Sequence, residues 1–316
     1  MKLSVAICTY NGEAYLREQL ESILNQTLPV DEIILCDDGS TDNTVKIARS
    51  VLEEGKVPFR IIENGRSLGV AANFLHALKS SCGDYVFTCD QDDIWVKNKV
   101  ELFATEIQKT NRLLYFSDGL LVDGDGRSRN VKLWDVYRVP YLESSESLYM
   151  KHLVRNGIVT GAAMCVSRAL IDSVDEIPTP FLHDEWLSIV ATAKDSIRAI
   201  NHVTFYYRQH GKNVVGAEKQ SFKTRAKRWI ANFKAIEEIR EQRCKRASEI
   251  AAISRHTPQE SLTEACYSFW LDLKASSTQG KWPRFCCYWK HLFAGNYTRF
   301  YTGLRGFLRD VLVLFL

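Results

Sequence analysis

Residues 84–95 read DYVFTCDQDDIW. A short apolar, β-prone run (Tyr85, Val86, Phe87) stops abruptly at three acids, Asp90, Asp92 and Asp93. In an open α/β sheet ligands bind at the carboxyl ends of strands, so this turn is where chemistry is expected. Asp90 and Asp92 stand one residue apart and can face one hard divalent cation. Mg²⁺ or Mn²⁺ takes few protein oxygens and keeps its other positions for water and substrate phosphates. The turn therefore points to a metal-diphosphate site in an enzyme that uses a nucleotide-activated donor. The plainer alternative is a solvated turn in which Asp93 caps the next helix. Three acids at one strand end nevertheless repel each other unless a cation or donor hydrogen bonds compensate.

Outward from this turn, the first 120 residues alternate strand and helix signals. Strands are expected at 4–8, 32–36, 58–62, 85–89 and 113–118, and helices at 13–25, from about 40 to 54, at 70–81 and at 96–109. This rhythm predicts an α/β fold with a mostly parallel sheet and flanking helices. After Asp118 it breaks. Residues 122–130 read as a loop, 158–167 as a strand pair or a strand with a Gly break, 183–193 as a helix, and 197–211 as one or two closing strands. From about 217 to 316 the pattern is helical, which divides the chain into a catalytic part, 1–216, and a helical part.

Composition is ordinary for a globular chain of 316 residues, 46% hydrophobic and 25% charged. Nine scattered cysteines without a CxxC pair fit reduced thiols better than a disulfide framework. The N-terminus lacks a secretory leader pattern, and no apolar run reaches the ~20 residues of a membrane span. Residues 201–316 carry 20 Lys and Arg against 9 Asp and Glu, while residues 1–200 carry 21 against 29. An acidic half that holds a metal and a basic half that meets something anionic is the division this suggests. The tail, 300–316, is apolar with Arg305 and Arg309 interspersed. Its 17 residues span about 25 Å as a helix, too short for a bilayer core, so lying in the membrane interface fits better than crossing it; the alternative is a helical subdomain packed on the catalytic domain, or a dimer interface.

Three further clusters bear on the site. ICTYN (7–11) and LCDDGS (35–40) each follow a strand and belong on the same sheet edge as the acid turn. Asp37 or Asp38 can accept from a pyrimidine N–H or a ribose hydroxyl, though Asp, Gly, Ser and Thr are also ordinary turn and cap residues. HDEW (183–186) opens a helix, where a carboxylate can serve as general base. Asp184 and Glu185 point about 100° apart on a helix, so only one faces a cleft. In YYRQHG (206–211), Arg208 can hold phosphate and His210 can be a third metal ligand or a diphosphate donor. Asp123, Asp125 and Gly126 read as a polar turn rather than a calcium loop, and GRSLG (65–69) is neither a P-loop nor a dinucleotide fingerprint.

In order and spacing, SVAICTYNGEAYLREQLESILNQTL, CDDGSTDNT, CDQDDIW and HDEW followed by YRQHGKNVVG resemble glycosyltransferase family 2, with its GT-A fold, over roughly residues 2–216. The last two segments are most similar to bacterial rhamnosyltransferase-like members of O-antigen and other surface polysaccharide synthesis. The resemblance implies that Thr9, Tyr10, Asn11, Asp37, Asp38 and Asp90 line the nucleotide-sugar pocket, with Arg208 beside them. Asp90, Asp92 and His210 would meet Mn²⁺ or Mg²⁺. Gly161, Ala162 and Trp186 would lie on the acceptor side. Asp184 aligns with the family's base; His183 replaces the acid that usually precedes it, and Glu185 is the second candidate.

The implied reaction is a single inverting displacement, with dTDP-β-L-rhamnose as donor and a lipid-linked glycan as acceptor. Such an acceptor gives the basic tail a partner in the anionic membrane surface, with Trp229, Trp282, Trp289, Phe307 and Leu312 in the interface. The expected location is the inner face of the cytoplasmic membrane. A UDP-hexose donor is the alternative within the family. A nucleotidyltransferase lacks its Gly-rich phosphate loop here, and a nucleic-acid binder lacks any recognisable motif.

Overall fold

The apolar runs that open the chain are buried along their whole length because they form the centre of a sheet covered on both faces. The computed structural model describes residues 1–137, 139, 159–210, 236–257, 259–301 and 303–313. These fall into two compact units, one ending at residue 210 and one beginning at residue 236.

In the first unit, β1 (Leu3–Thr9), α1 (Leu16–Leu24), β2 (Glu32–Asp37), α2 (Thr44–Glu54), β3 (Phe59–Glu63), α3 (Val70–Ser80) and β4 (Tyr85–Cys89) alternate. There follow β5 (Ile94–Trp95), α4 (Lys99–Thr110), β6 (Leu114–Val122), β7 (Ser128–Lys132) and α5 (Leu133–Tyr137). A 3-10 turn (Gly161–Ala163), β8 (Met164–Ser167), α6 (Arg168–Asp172), α7 (His183–Ala193) and β9 (Ile197–Arg208) complete it.

The nine strands form one sheet in the order β3-β2-β1-β4-β8-β6-β9-β5, with β7 on β6. Only β5, β7 and β8 run against the others. Helix α1 buries Leu16, Leu20 and Ile23 on one face, and α4 buries Val100, Phe103, Ala104 and Ile107. This is the spacing of a helix packed on a sheet.

Register gathers the functional turns. Thr9 pairs with Asp37 and Ile7 with Cys89, so β1, β2 and β4 end within about two residues of one another. Strand β8 runs antiparallel to β4, with Phe87 opposite Cys165. Its start, not its end, therefore lies at this edge, and the 161–163 turn arrives beside the acids. Strand β5 pairs Ile94 with Tyr206, which fastens the acid turn to the end of β9.

Two local expectations are corrected. Residues 122–130 are not all loop: a turn at 123–127 joins β6 to β7, with Asp123 Oδ1 accepting from the N–H groups of Asp125 and Arg127. Asp93 does not cap a helix, since the β5 pairing delays α4 until Lys99.

The second unit consists of α8 (Ile236–Ile253), α9 (Glu260–Ser276), α10 (Lys281–Phe293), α11 (Asn296–Phe300) and α12 (Leu304–Val313). Phe269 is its apolar centre, with ring contacts to Trp270, His291 and Tyr297. Arg240, 1% exposed, donates to the Tyr288 hydroxyl at 2.8 Å and lies 3.2 Å from Asp310, which also accepts from the Tyr297 hydroxyl.

The tail does not present itself as a free interfacial helix. Phe307 packs on Trp289 and Tyr297, Arg309 sits 4.8 Å over Tyr301, and both Arg309 and Asp310 are buried. Charged groups so buried need partners within the protein. Trp229, residues 217–235, 314–316 and the Leu312 side chain lie outside the described residues. Among the described residues, no helix is long and apolar enough to cross a membrane.

Candidate active site

The loop after β1 is built by close approach. The N–H of Tyr10 donates to Gln91 Oε1 at 2.9 Å, and Gln91 Nε2 returns a bond to the Tyr10 carbonyl at 3.1 Å. A Cβ at Gly12 would meet Gln91 Oε1 at 2.3 Å, so a larger residue here has to push the Gln91 side chain aside. Asn11, at φ 49°, accepts from the Thr41 N–H through its side-chain oxygen, and its own backbone N–H donates to the Ser40 hydroxyl oxygen. The Tyr10 ring is left exposed.

Asp37 and Asp38 hold the neighbouring turn. Asp37 accepts from the Thr9 hydroxyl at 2.7 Å, from the N–H groups of Gly39 and Ser40, and from the Ser40 hydroxyl. Asp38 accepts from Asn64, Ser67, Leu68 and Gly69. Burial opposes the Asp38 charge, yet these four donors hold its carboxyl below the usual range. Each carboxylate already has about four donors, its full capacity, so a base meets either one only by displacing a protein group.

The acid turn divides its three carboxyls. Asp90 is partly exposed; burial, then the like charges of Asp92 and Asp184, raise it, against the pull of Lys99. Asp92 Oδ2 lies 2.8 Å from His210 Nε2, and the His210 ring stacks on Tyr15 with centroids 4.8 Å apart. Asp93 is buried, accepts from the Arg208 N–H through Oδ1, and has no hydrogen-bond partner at Oδ2. Burial, with Asp92 and Asp90 nearby, raises its carboxyl strongly.

Arg208 stands apart from its expected role. Its guanidinium is buried; Nε donates to the Asp92 carbonyl, Nη1 to the Gly124 carbonyl and Nη2 to Glu18, while the group lies over Tyr15. Every nitrogen is engaged with protein acceptors, so Arg208 acts as a clamp on the acid turn and not as an open phosphate donor.

Lys99 is the residue that sequence reasoning missed. It is fully buried, donates to the Ala162 carbonyl at 2.8 Å and lies 4.1 Å over the Trp95 ring. Burial lowers its ammonium to about 8, against the raising influence of Cys89, Asp93 and Asp90 among others. One cation thus offsets the acid turn from behind and ties it to the 161–163 turn. The signal available was spacing: Lys99 falls four residues before Phe103 and eight before Ile107, on the core stripe of α4.

The 161–163 turn is also bound to Thr88, whose hydroxyl donates to the Gly161 carbonyl, and to α7. The Gly161 N–H donates to Asp184 Oδ2 at 3.0 Å. Asp184 is partly exposed, and burial pushes its carboxyl up to about 7 against backbone donors from Glu185 and Gly161. A carboxylate near neutrality suits general-base work. Glu185 is 5% exposed and faces inward, as the 100° step predicts. Trp186 is 5% exposed and packs on Phe181, so its ring serves the interior of the unit. His183 stacks on Phe74 at 3.7 Å, and burial lowers it to about 3, leaving a neutral ring.

These turns meet at one sheet edge, and the family model for glycosyl transferase family 2 matches residues 4–167, just over half of the chain. The chain belongs to glycosyltransferase family 2. The putative glycosyltransferase EpsE of Bacillus subtilis is 35% identical over 121 residues, 38% of this chain and 44% of its own, so the match spans less than half of that relative. The dTDP-rhamnosyl transferase RfbG of Shigella flexneri is 29% identical, covering 70% of this chain and 77% of its own. The UDP-Glc:alpha-D-GlcNAc-diphosphoundecaprenol beta-1,3-glucosyltransferase WfgD of Escherichia coli is 26% identical, covering 63% and 73%.

Among solved structures, S. aureus TarS 1-349 in complex with UDP-GlcNAc superposes with a TM-score of 0.60 at 19% identity, covering 88% of this chain and 74% of that one. The Pyrobaculum calidifontis mannosyltransferase PcManGT in complex with GDP-Man and Mn2+ gives 0.54 at 18%, covering 93% and 75%. These likenesses establish the GT-A fold. The enzyme is a family 2 glycosyltransferase.

Proposed function

We propose that this glycosyltransferase transfers L-rhamnose from dTDP-β-L-rhamnose to a lipid-linked glycan in surface polysaccharide synthesis, by a single inverting displacement. The observation that carries the mechanism is the meeting of Asp184 with the acid turn. A partly exposed carboxylate raised to about 7 shares one sheet edge with Asp90, which feels its charge. Asp184 takes the proton of the acceptor hydroxyl as that oxygen attacks the anomeric carbon. The Gly161 N–H holds one carboxylate oxygen and the Glu185 N–H the other, and together they fix the orientation of the base. The exposed Tyr10 ring offers a face to the base, and Asp37, Asp38, Thr9 and Asn11 fix the loop that carries it.

Asp92 and His210, with Asp90 adjacent, fit a divalent cation of the Mn²⁺ or Mg²⁺ class. Among the described residues no group of three His, Cys, Asp or Glu side chains gathers for a metal. A pair is nonetheless what such cations take when substrate phosphates supply the remaining oxygens. When bound, the cation supplies positive charge at the departing nucleoside diphosphate. Arg208 and Lys99 hold Asp92 and the acceptor turn in position.

The rhamnosyl donor rests on the similarity to RfbG, and the lipid-linked acceptor on the similarity to WfgD. A screen of dTDP-rhamnose, UDP-glucose, UDP-galactose and GDP-mannose for binding and hydrolysis, with Mn²⁺, Mg²⁺ or EDTA, tests the reading. Metal-dependent preference for dTDP-rhamnose supports it. Preference for a UDP-sugar overturns the donor and keeps the site.

A further inference from the structure

Helix α10 carries Trp282, Phe285, Trp289 and Phe293, spaced by three, four and four residues, so they share one face. Their rings form a continuous ladder, with successive centroids 5.8, 5.9 and 5.2 Å apart. The inner part of the ladder is used within the unit, since Trp289 meets Phe307 of α12 at 5.0 Å. The two ends are not. Trp282 is 73% exposed and Phe293 81%. Leu304 and Leu308, one turn apart on α12 and flanking Phe307, are 59% and 49% exposed. Four large apolar side chains on two packed helices exceed the scattered exposure of an ordinary surface.

Residues 281–309 contain six Lys and Arg and no Asp or Glu. Part of that charge is paired, since Lys290 lies 3.2 Å from Asp272 and Arg284 3.9 Å from Glu237. Lys281 and Arg299 lie outside these pairs and are exposed. Aromatic rings beside basic groups are the composition of a surface that enters the headgroup region of an anionic bilayer. There rings bury in the acyl boundary while ammonium and guanidinium groups meet lipid phosphates. A second copy of the chain fits less well, because a two-fold contact through this face would set one cationic rim against another.

We propose that the face formed by Trp282, Phe293, Leu304 and Leu308 docks on the interface of an anionic phospholipid membrane. The contact is peripheral, and it differs from a tail helix laid in the membrane, because Phe307, Arg309 and Asp310 stay inside the protein. It does not depend on which sugar is transferred.

The test is flotation of the full chain with vesicles of mixed phosphatidylcholine and phosphatidylglycerol, and with vesicles of phosphatidylcholine alone. The wild type is expected to float with the mixed vesicles only, and to be released by added salt. The double variant Trp282→Ser, Phe293→Ser is expected to bind at least about tenfold more weakly, with unchanged thermal unfolding because both rings are mostly in solvent. Lys281→Glu with Arg299→Glu is expected to lose about tenfold or more, without removing apolar surface. Vesicle binding that neither double variant alters, or no binding by the wild type, overturns the proposal. So does a wild-type dimer in solution that the aromatic variant disperses, which assigns the face to a second copy.

Discussion

Asp184 Oδ2 accepts the backbone N–H of Gly161 at 3.0 Å, and this bond joins the proposed base to the turn that Lys99 and Thr88 hold against the acid strand. Base, acceptor turn and acid turn are therefore one mechanical assembly, and each part can be perturbed separately.

The pH profile follows from the Asp184 carboxyl, which burial raises to about 7. A general base works deprotonated, so kcat at saturating donor and acceptor is expected to fall as pH drops through about 7, approaching tenfold per unit below it. The measurement is kcat against pH at constant ionic strength. A flat profile down to pH 5 would count against Asp184 as the base.

Replacing Lys99 removes the buried cation behind Asp90 and Asp93 and unpairs the Ala162 carbonyl. Lys99→Met is expected to destabilise the first unit by about 3 kcal/mol, the scale of breaking a buried charge pair. Lys99→Arg is expected to restore the charge but fit the fully buried site poorly, with an intermediate loss. Chemical denaturation of the three proteins decides this; equal stability of Lys99→Met and wild type would contradict it.

His183 couples stability to pH. Its folded pKa is depressed to about 3 by burial against Phe74, while the unfolded side chain titrates near the ordinary 6.5. Between those values the unfolded state binds the extra proton, so this contribution is complete above about 6.5 and is lost as pH falls, by at most about 1.4 kcal/mol per unit. His183→Phe, which keeps the stack, is expected to flatten that slope in denaturation curves taken between pH 7 and pH 5.

In the helical unit, Asp310 is 1% exposed and accepts from Tyr297 beside Arg240. Asp310→Asn leaves the Arg240 guanidinium buried without its counter-charge, and a loss of about 3–5 kcal/mol is expected. Thermal unfolding followed by calorimetry reads this loss. An unchanged transition would mean that the pair contributes nothing there.

The sequence made the elements with unbroken local signals legible. Strand 85–89 is bounded by an acid on each side, and helix 183–193 by its apolar period, and both read to the residue. Strand β7 was missed because SRNVK has too little apolar alternation to announce itself; it forms by pairing with β6. The late start of α4 depends on β5 pairing with a strand more than a hundred residues away, which no local window contains. The same distance hides the role of Arg208. As a residue type it suggests phosphate, but its acceptors come from Glu18, Asp92 and Gly124, which only the fold brings together. Lys99 was within reach, since a charged residue on the core stripe of a helix needs a partner.

The central claim is that Asp184 is the base and the acid turn holds the donor. It is tested most directly by measuring transfer and donor binding in parallel for Asp184→Asn and Glu185→Gln, with calorimetry for affinity and product formation for turnover. The account predicts that Asp184→Asn lowers kcat by about 10²–10⁴-fold while donor affinity stays near wild type, and that Glu185→Gln retains most of its turnover. Loss of turnover in Glu185→Gln with Asp184→Asn still active would contradict it.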